Sequence, residues 1–241
     1  MTKHIIIGTS GIGGALARQL SSTGHDLHLI GRNSEKVAAL AAELGASHAV
    51  ADVMDTAALE QAVQAAGSVI DGLAYCVGTI NLKPAHRTTD ADVMKDFELN
   101  ALGALRAAKA ALPALKASTE PTAAIVLFST VAVGQGFASH ASIAMAKGAI
   151  EGLMRTLAAE WSPKIRVNAV APSLTKTPLA ALMTANEATA KAIADMHPLQ
   201  RLGEAEEVAA LAAFLLSSQA GWITGQVIGV DGGRSTLRVK A

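Results

Sequence analysis

From "HIIIG" (4–8) to "GQVIGVDGG" (225–233), short apolar runs alternate with longer stretches of helical periodicity, and any fold of this chain must satisfy that alternation. The runs at 4–8, 26–31, 47–52, 70–78, 123–130, 165–172 and 225–233 are strand-length and mostly rich in Ile, Val and Leu, as strands buried on both faces are. Between them lie "GGALARQLSST" (13–23), "SEKVAALAAEL" (34–44) with Ser34 placed to cap it, and "TAALEQAVQAA" (56–66). A long helical stretch within 90–117, a helix beginning near "SHASIAMAKGAIEGL" (139–153) and "EAEEVAALAAFLLS" (204–217) complete the set. Strand and helix in strict turn give an α/β fold: a three-layer, Rossmann-type doubly wound parallel sheet of about seven strands, with helices on both faces. No linker, repeat or low-complexity segment divides the 241 residues, so residues 1–241 read as a single domain.

Composition narrows the classes. Hydrophobic residues make up 51% and aromatics 3%, so the core must be small aliphatic side chains packed on a sheet. The formal net charge is zero, which gives no footprint for nucleic acid or an acidic membrane surface. The one cysteine, Cys76, excludes an internal disulfide and a cysteine-cluster metal site, so no metal is expected and a reducing cytoplasmic location is. No signal-peptide pattern precedes "KHIIIG", and no apolar run reaches the ~18 residues of a membrane span.

The loop between the first strand and first helix, "GTSGIGG", carries Gly8, Gly11, Gly13 and Gly14, with Ser10 and Ile12 between them. Small residues there let backbone approach a pyrophosphate, and the helix N-terminus offers free N–H groups and the positive dipole end. The second strand ends "LIGRN". The place where an acidic residue would hold ribose hydroxyls has Gly31 and then Arg32, and a guanidinium suits a 2′-phosphate. With Ser10 and Asn33 as further donors, NADP(H) is expected in preference to NAD(H). Asp52, followed by Val53, is placed either to accept from an adenine amino group or to cap the helix that follows.

The glycine loop, "ADV" (51–53), Asn100 in "ELNALG", "IVLFST", Lys147, "RVNAVAPSLTKTP" and "RLGEAEEVAALAAFLLS…WITGQVIGVDGG" together resemble the short-chain dehydrogenase/reductase family over nearly the whole chain. The resemblance implies a dinucleotide-binding domain, a substrate lid at about 173–200, a small-molecule substrate and a homodimer or homotetramer. It implies that Lys147 binds the nicotinamide ribose, that Asn100 holds a water in a proton relay, and that Thr130, with Ser129 its neighbour, stands where a serine polarises the substrate carbonyl. Cys76, Gly78, Pro172 and Thr177, with Thr175 as the alternative, fall at the cofactor wall, and Tyr75 beside Cys76 is expected there too. Ala- and Leu-rich helices such as "ALGALRAAKAALPALKA" agree with burial against a second copy.

One position breaks the pattern. The family's proton-donating tyrosine lies four residues before the lysine, and here that residue is Ile143. An aliphatic side chain exchanges no proton. Enoyl-reductase members place their tyrosine seven residues before the lysine, where this chain has His140, and dienoyl-CoA reductases also lack the four-before tyrosine. His140 is therefore either an imidazole donor titrating near neutral pH or a polar residue closing the helix terminus. Tyr75, the chain's one tyrosine, is the other candidate. Further departures are a glycine loop one residue short, "YCVG" (75–78) for "NNAG", and "PS" (172–173) for "PG". Three readings follow: a reductase of a small, uncharged substrate with atypical proton donation, a non-catalytic NADP(H)-binding sensor or assembly subunit, and a slow carbonyl reductase using water.

Overall fold

The computed structural model describes residues 2–238. In chain order the elements are β1 (Lys3–Ile7), α1 (Ile12–Ser22), β2 (Asp26–Gly31), α2 (Ser34–Leu44), β3 (Ser47–Val50), α3 (Thr56–Gln64) and β4 (Gly72–Tyr75). There follow α4 (Asp90–Phe97), α5 (Gly103–Lys116), β5 (Ala123–Phe128), α6 (Val131–Gly134), α7 (Ala141–Trp161) and β6 (Ile165–Pro172). The last part holds β7 (Thr175–Lys176), α8 (Ala181–Thr184), α9 (Glu187–Asp195), β8 (Gly203–Glu204), α10 (Ala205–Leu216) and β9 (Val227–Val230).

Seven strands form one sheet in the order β3-β2-β1-β4-β5-β6-β9, every pairing parallel. This is the expected doubly wound sheet. Its order reverses between β1 and β4, which opens a crevice at the carboxyl ends of the strands, where ligands bind in such folds. Parallel strands need crossover helices, and these cover both faces. One apolar layer packs α3, α5 and α7 on the sheet through Leu59, Ala107, Ala111 and Met154. The other packs α1, α2 and α10 through Leu16, Leu20, Val37 and Val208.

Several expectations move by small amounts. Asn33, not Ser34, caps α2: its side chain accepts from Lys36 N, and Ser34 is the first helical residue. Asp55, not Asp52, caps α3, accepting from Ala58 N at 3.0 Å, while Asp52 accepts from Met54 N in the turn before it. The stretch 90–117 is one continuous rod in three parts, with a π-helical segment at Glu98–Leu102 joining α4 to α5. Two side chains meet that rod at the irregularity: the Tyr75 hydroxyl donates to Leu99 O at 2.6 Å, and Asn100 Nδ2 donates to Asp96 O at 2.8 Å. Extra donors on helix carbonyls disturb the regular ladder. The 173–200 segment holds two short helices, and its strand β7 pairs with β8 in a separate two-stranded sheet.

Candidate active site

At the crevice, Gly8 caps β1 with φ +91°, in the left-handed region. A Cβ at Gly13 would overlap the Gly8 carbonyl oxygen, and one at Gly11 would press on Thr177 at 3.0 Å. The loop therefore needs glycine to let α1 begin so close to β1. Gly11 is the α1 N-cap and supplies no side-chain hydrogen bond; Gly13 N donates to Ser10 O at 3.2 Å, and the N–H groups of Ile12 and Gly14 beside it are left for a ligand. Ser10 is exposed beside them. Ile12, Cys76, Gly78, Pro172, Thr175 and Thr177 all line one cavity of about 590 Å³ that runs from this loop towards α7 and the lid. Thr177 is the better placed threonine: it sits against Gly11, whereas Thr175 is buried and donates to Ser173 O at 3.0 Å. Burial pushes the Cys76 thiol up to about 12, so it stays neutral.

Arg32 is exposed at the end of β2 and joins none of the ion pairs among the described residues. Asn33 is beside it; its oxygen is used by the α2 cap, which leaves its amide N–H₂. Asp52 is exposed and Val53 buried at the end of β3, two strands from the glycine loop.

The cavity's far wall is α7. Lys147 is 7% exposed, and its Nζ donates to Phe128 O at 2.8 Å. Burial lowers its pKa to about 8, against the upward pull of Cys76 and Asp96. Ile143, one turn earlier, is 5% exposed and faces the same cavity. His140 is the residue before α7, so the helix starts just short of it, yet its carbonyl still accepts from Ala144 N at 2.8 Å and its ring reaches the cavity. The chain enters through Ser139 at φ +66°, a strained backbone for a non-glycine residue. The His140 ring caps no helix N–H. Its Nδ1 lies 2.7 Å from Ala138 O, which only accepts, so Nδ1 carries the proton and Nε2 is the free position. Phe137 meets the ring edge-on at 5.4 Å, and Arg234 stacks on Phe137 at 5.0 Å.

The two hydroxyls at the end of β5 part company. Ser129 donates to Glu151 Oε1 at 2.7 Å, while Thr130 only accepts from Ala132 N at 3.3 Å and keeps its O–H to give. Tyr75 is not at the cofactor wall. It points into the core, where Gly103 makes room for its hydroxyl, and burial pushes its phenol far above the usual range. It cannot stand in for the absent tyrosine.

Asn100 is fully buried, donating to Thr79 Oγ1 and to Asp96 O, and its Oδ1 has no protein partner among the described residues. A Cβ built on Gly78 would lie 3.3 Å from Lys147 Nζ and 3.4 Å from Asn100 Oδ1, so both face the same small space. Thr79 donates to Asp96 Oδ1 at 2.8 Å, and Ser142 donates to Asp96 Oδ2 at 2.5 Å. The buried Asp96 carboxylate thus ties the β4 loop, α4 and α7 together. Sequence reasoning missed Thr79, Asp96 and Ser142, which lie 17 and 46 residues apart along the chain and meet only in the fold.

A family model described as enoyl-(acyl carrier protein) reductase matches residues 6–235. The chain belongs to the short-chain dehydrogenase/reductase family. A tropinone reductase homologue of Arabidopsis thaliana is 36% identical over 94% of this chain and 89% of its own length. Galactitol 2-dehydrogenase (L-tagatose-forming) of Cereibacter sphaeroides is 36% identical over 93% of this chain and 91% of its own. A solved short-chain dehydrogenase/reductase of Mycobacterium ulcerans superposes with a TM-score of 0.91 at 29% identity, covering 98% of this chain and 90% of that one. Short-chain dehydrogenases/reductases bind NAD(P)(H), act on small molecules and are commonly oligomeric, and the glycine cradle and uncapped α1 terminus fit such a dinucleotide. Among the described residues, no helix is long and apolar enough to cross a membrane, and no cluster of metal ligands is present.

Proposed function

We propose that this chain is an NADP(H)-dependent oxidoreductase that reduces a small activated C=C or carbonyl substrate without a tyrosine donor. The dinucleotide supplies the hydride. The observation that carries the reading is the cavity in which Lys147, the Thr130 hydroxyl and the glycine loop meet, with Asn100 behind Lys147. Gly8, Ser10, Gly11, Ile12 and Gly13 hold the pyrophosphate. Arg32 and Asn33 hold the 2′-phosphate, and Asp52 and Val53 border the adenine. Cys76, Gly78, Pro172, Thr177 and Thr175 wall the nicotinamide side. Lys147, held on Phe128 O, orients the ribose. Thr130 donates to the acceptor oxygen, and Asn100 Oδ1 accepts from a water of the proton relay. On the α7 side the proton sources are His140, as imidazolium, and water. For an enone or enoyl thioester, stabilising the enolate matters more than a strong acid, so the loss of the phenol costs less than in ketone reduction. General acid help is worth about 10²–10⁴-fold.

The largely apolar cavity suits an uncharged substrate, with Lys147 and Arg234 as cations in its lining. A second reading, a non-catalytic NADP(H) sensor or assembly subunit within the same homodimer or homotetramer, is favoured by one observation: the buried Ile143 at the phenol's place. Stopped-flow oxidation of NADPH with enone, enoyl-thioester and diketone panels separates the two. Turnover with any panel removes the sensor, and tight NADPH binding with no turnover removes the enzyme.

A further inference from the structure

In the lining of the main cavity, where the resemblance leads one to expect glycine after Pro172, the chain has Ser173. Its hydroxyl lies 2.8 Å from His197 Nε2. His197 Nδ1 lies 2.8 Å from Ile193 O at the end of α9. A carbonyl only accepts, so Nδ1 carries the proton of the neutral ring, Nε2 is the acceptor, and Ser173 is the donor. His197 is 2% exposed, so this arrangement is held by packing as well as by its two hydrogen bonds. An oriented hydroxyl–imidazole pair with a fixed tautomer is the arrangement that proton transfer through a hydroxyl needs. Its place is equally telling. Ser173 lines the main cavity, and both Ser173 and His197 line a second cavity of about 450 Å³ behind it. The pair therefore spans the wall between them.

We propose that Ser173 and His197 form the proton-handling pair of this site, in place of the phenol that Ile143 lacks. The proposal rests on the oxidoreductase reading. In reduction, Ser173 Oγ gives its proton to the substrate oxygen as the new O–H bond forms and takes a proton from His197 Nε2. His197 goes from imidazolium to neutral imidazole, and the two electrons arrive at the substrate carbon with the hydride of the bound dinucleotide. A solvent proton, reaching His197 through the second cavity, restores the imidazolium for the next turnover. In oxidation the same transfers run backwards, starting from the neutral pair as it stands. The charges around the ring suit this traffic. The Asp231 carboxylate, held by Gly233 N and Ser235 N at 2.9 and 3.0 Å and by the Ser235 hydroxyl, lines the second cavity together with His197. Arg201 is neutralised by Glu207 at 2.6 Å, and Lys191 by Asp195 at 2.7 Å on α9. Arg234, on Met196 O at 2.8 Å, is the opposing cation.

The test combines the pH dependence of single-turnover reduction with ¹⁵N-histidine NMR of the whole protein, for wild type, Ser173→Ala, Ser173→Thr, His197→Gln and His140→Ala. Ser173→Ala and His197→Gln are expected to keep NADPH affinity, lower turnover by about 10²–10⁴-fold and lose the limb of the profile that falls with rising pH. Ser173→Thr, which restores a hydroxyl, is expected to recover the limb. The NMR spectrum should show the Nδ1–H tautomer at His197, with an Nε2 resonance that moves in Ser173→Ala. Turnover and limb unchanged in Ser173→Ala overturn the proposal and leave oxidoreductase activity standing. So does a limb lost only in His140→Ala. Wild-type protein that binds NADPH but reduces nothing overturns both. If Ser173→Ala fails to fold, an Nε2 shift showing no hydrogen bond in the wild type is sufficient to overturn the pair.

Discussion

Lys147 is held in the native state at a cost, and the cost should be visible as a pH-dependent stability. Its ordinary pKa of 10.5 falls to about 8 on burial. At about 1.4 kcal/mol per pH unit, keeping the charge buried costs the apoprotein about 3 kcal/mol at neutral pH. Between the two values the unfolded chain binds the proton that the native state has shed, so native stability rises with pH across that window. Lys147→Met removes the charge at similar length and also the bond to Phe128 O. The lost bond shifts stability equally at every pH, whereas the charge acts only below the window. The stability gap between variant and wild type should therefore move by about 2–3 kcal/mol in favour of wild type from pH 7 to 10. At about 2–4 °C per kcal/mol for a chain of this size, that is roughly 4–12 °C in a melting scan. Apoprotein melts at matched concentration, repeated with urea, provide the assay. A gap that does not change with pH would refute the buried, desolvated ammonium.

Three further outcomes follow from named residues. Arg32→Ala should weaken NADPH by about 10–100-fold and leave NADH nearly unchanged in fluorescence titrations; equal losses for both would remove the 2′-phosphate role. His4 is buried against His25, and burial first, then the His25 charge, lowers its pKa from 6.5 to about 4. The native state refuses a proton that the unfolded chain accepts, so this contribution is complete above pH 6.5 and is lost as pH falls towards 4. His4→Leu should flatten the acid limb of urea stability by about 3 kcal/mol. Ile143→Tyr should place a phenol one turn from Lys147 and raise ketone reduction, at a stability cost of about 1–3 kcal/mol for overfilling a buried position. A folded, NADPH-binding Ile143→Tyr with no gain in ketone reduction would show that the pocket no longer admits a carbonyl beside Thr130.

The sheet was legible because its signal is local and repeated. Runs such as "HIII" and "AAIVLF" are buried throughout, as the strands of a parallel sheet covered on both faces are. The glycine loop was legible because backbone crowding there admits no Cβ. The π-helical turn at Glu98–Leu102 was not, since it coincides with hydrogen bonds from side chains as distant as Tyr75. The caps shifted by one and three residues because Ser34, Asn33, Asp52 and Asp55 are all competent caps, and the direction of the entering chain chooses among them. Tyr75 was misplaced for a similar reason: strand alternation says that one neighbour faces the crevice and the other the core, but the alternation of a fully apolar strand carries no label for which.

Ile143 changes what the rest of the site has to do. In a site with a phenol, one side chain both hydrogen-bonds the substrate oxygen and exchanges its proton. Here those tasks separate. Thr130 retains an uncommitted O–H on one wall, which suits polarisation, because a threonine hydroxyl is too weak an acid to complete the transfer unaided. Neutral His140 presents Nε2 without a proton, at a half-exposed position. His197 has the same tautomer, fixed by Ile193 O, but differs in two respects: its imidazole is buried, and a partner hydroxyl on its Nε2 is already in the wall of the cavity. The serine after Pro172 was read from the sequence as one more departure from the family pattern. Its partner lies 24 residues away, beyond the lid helices, which is why the pair could be seen only once the chain was folded.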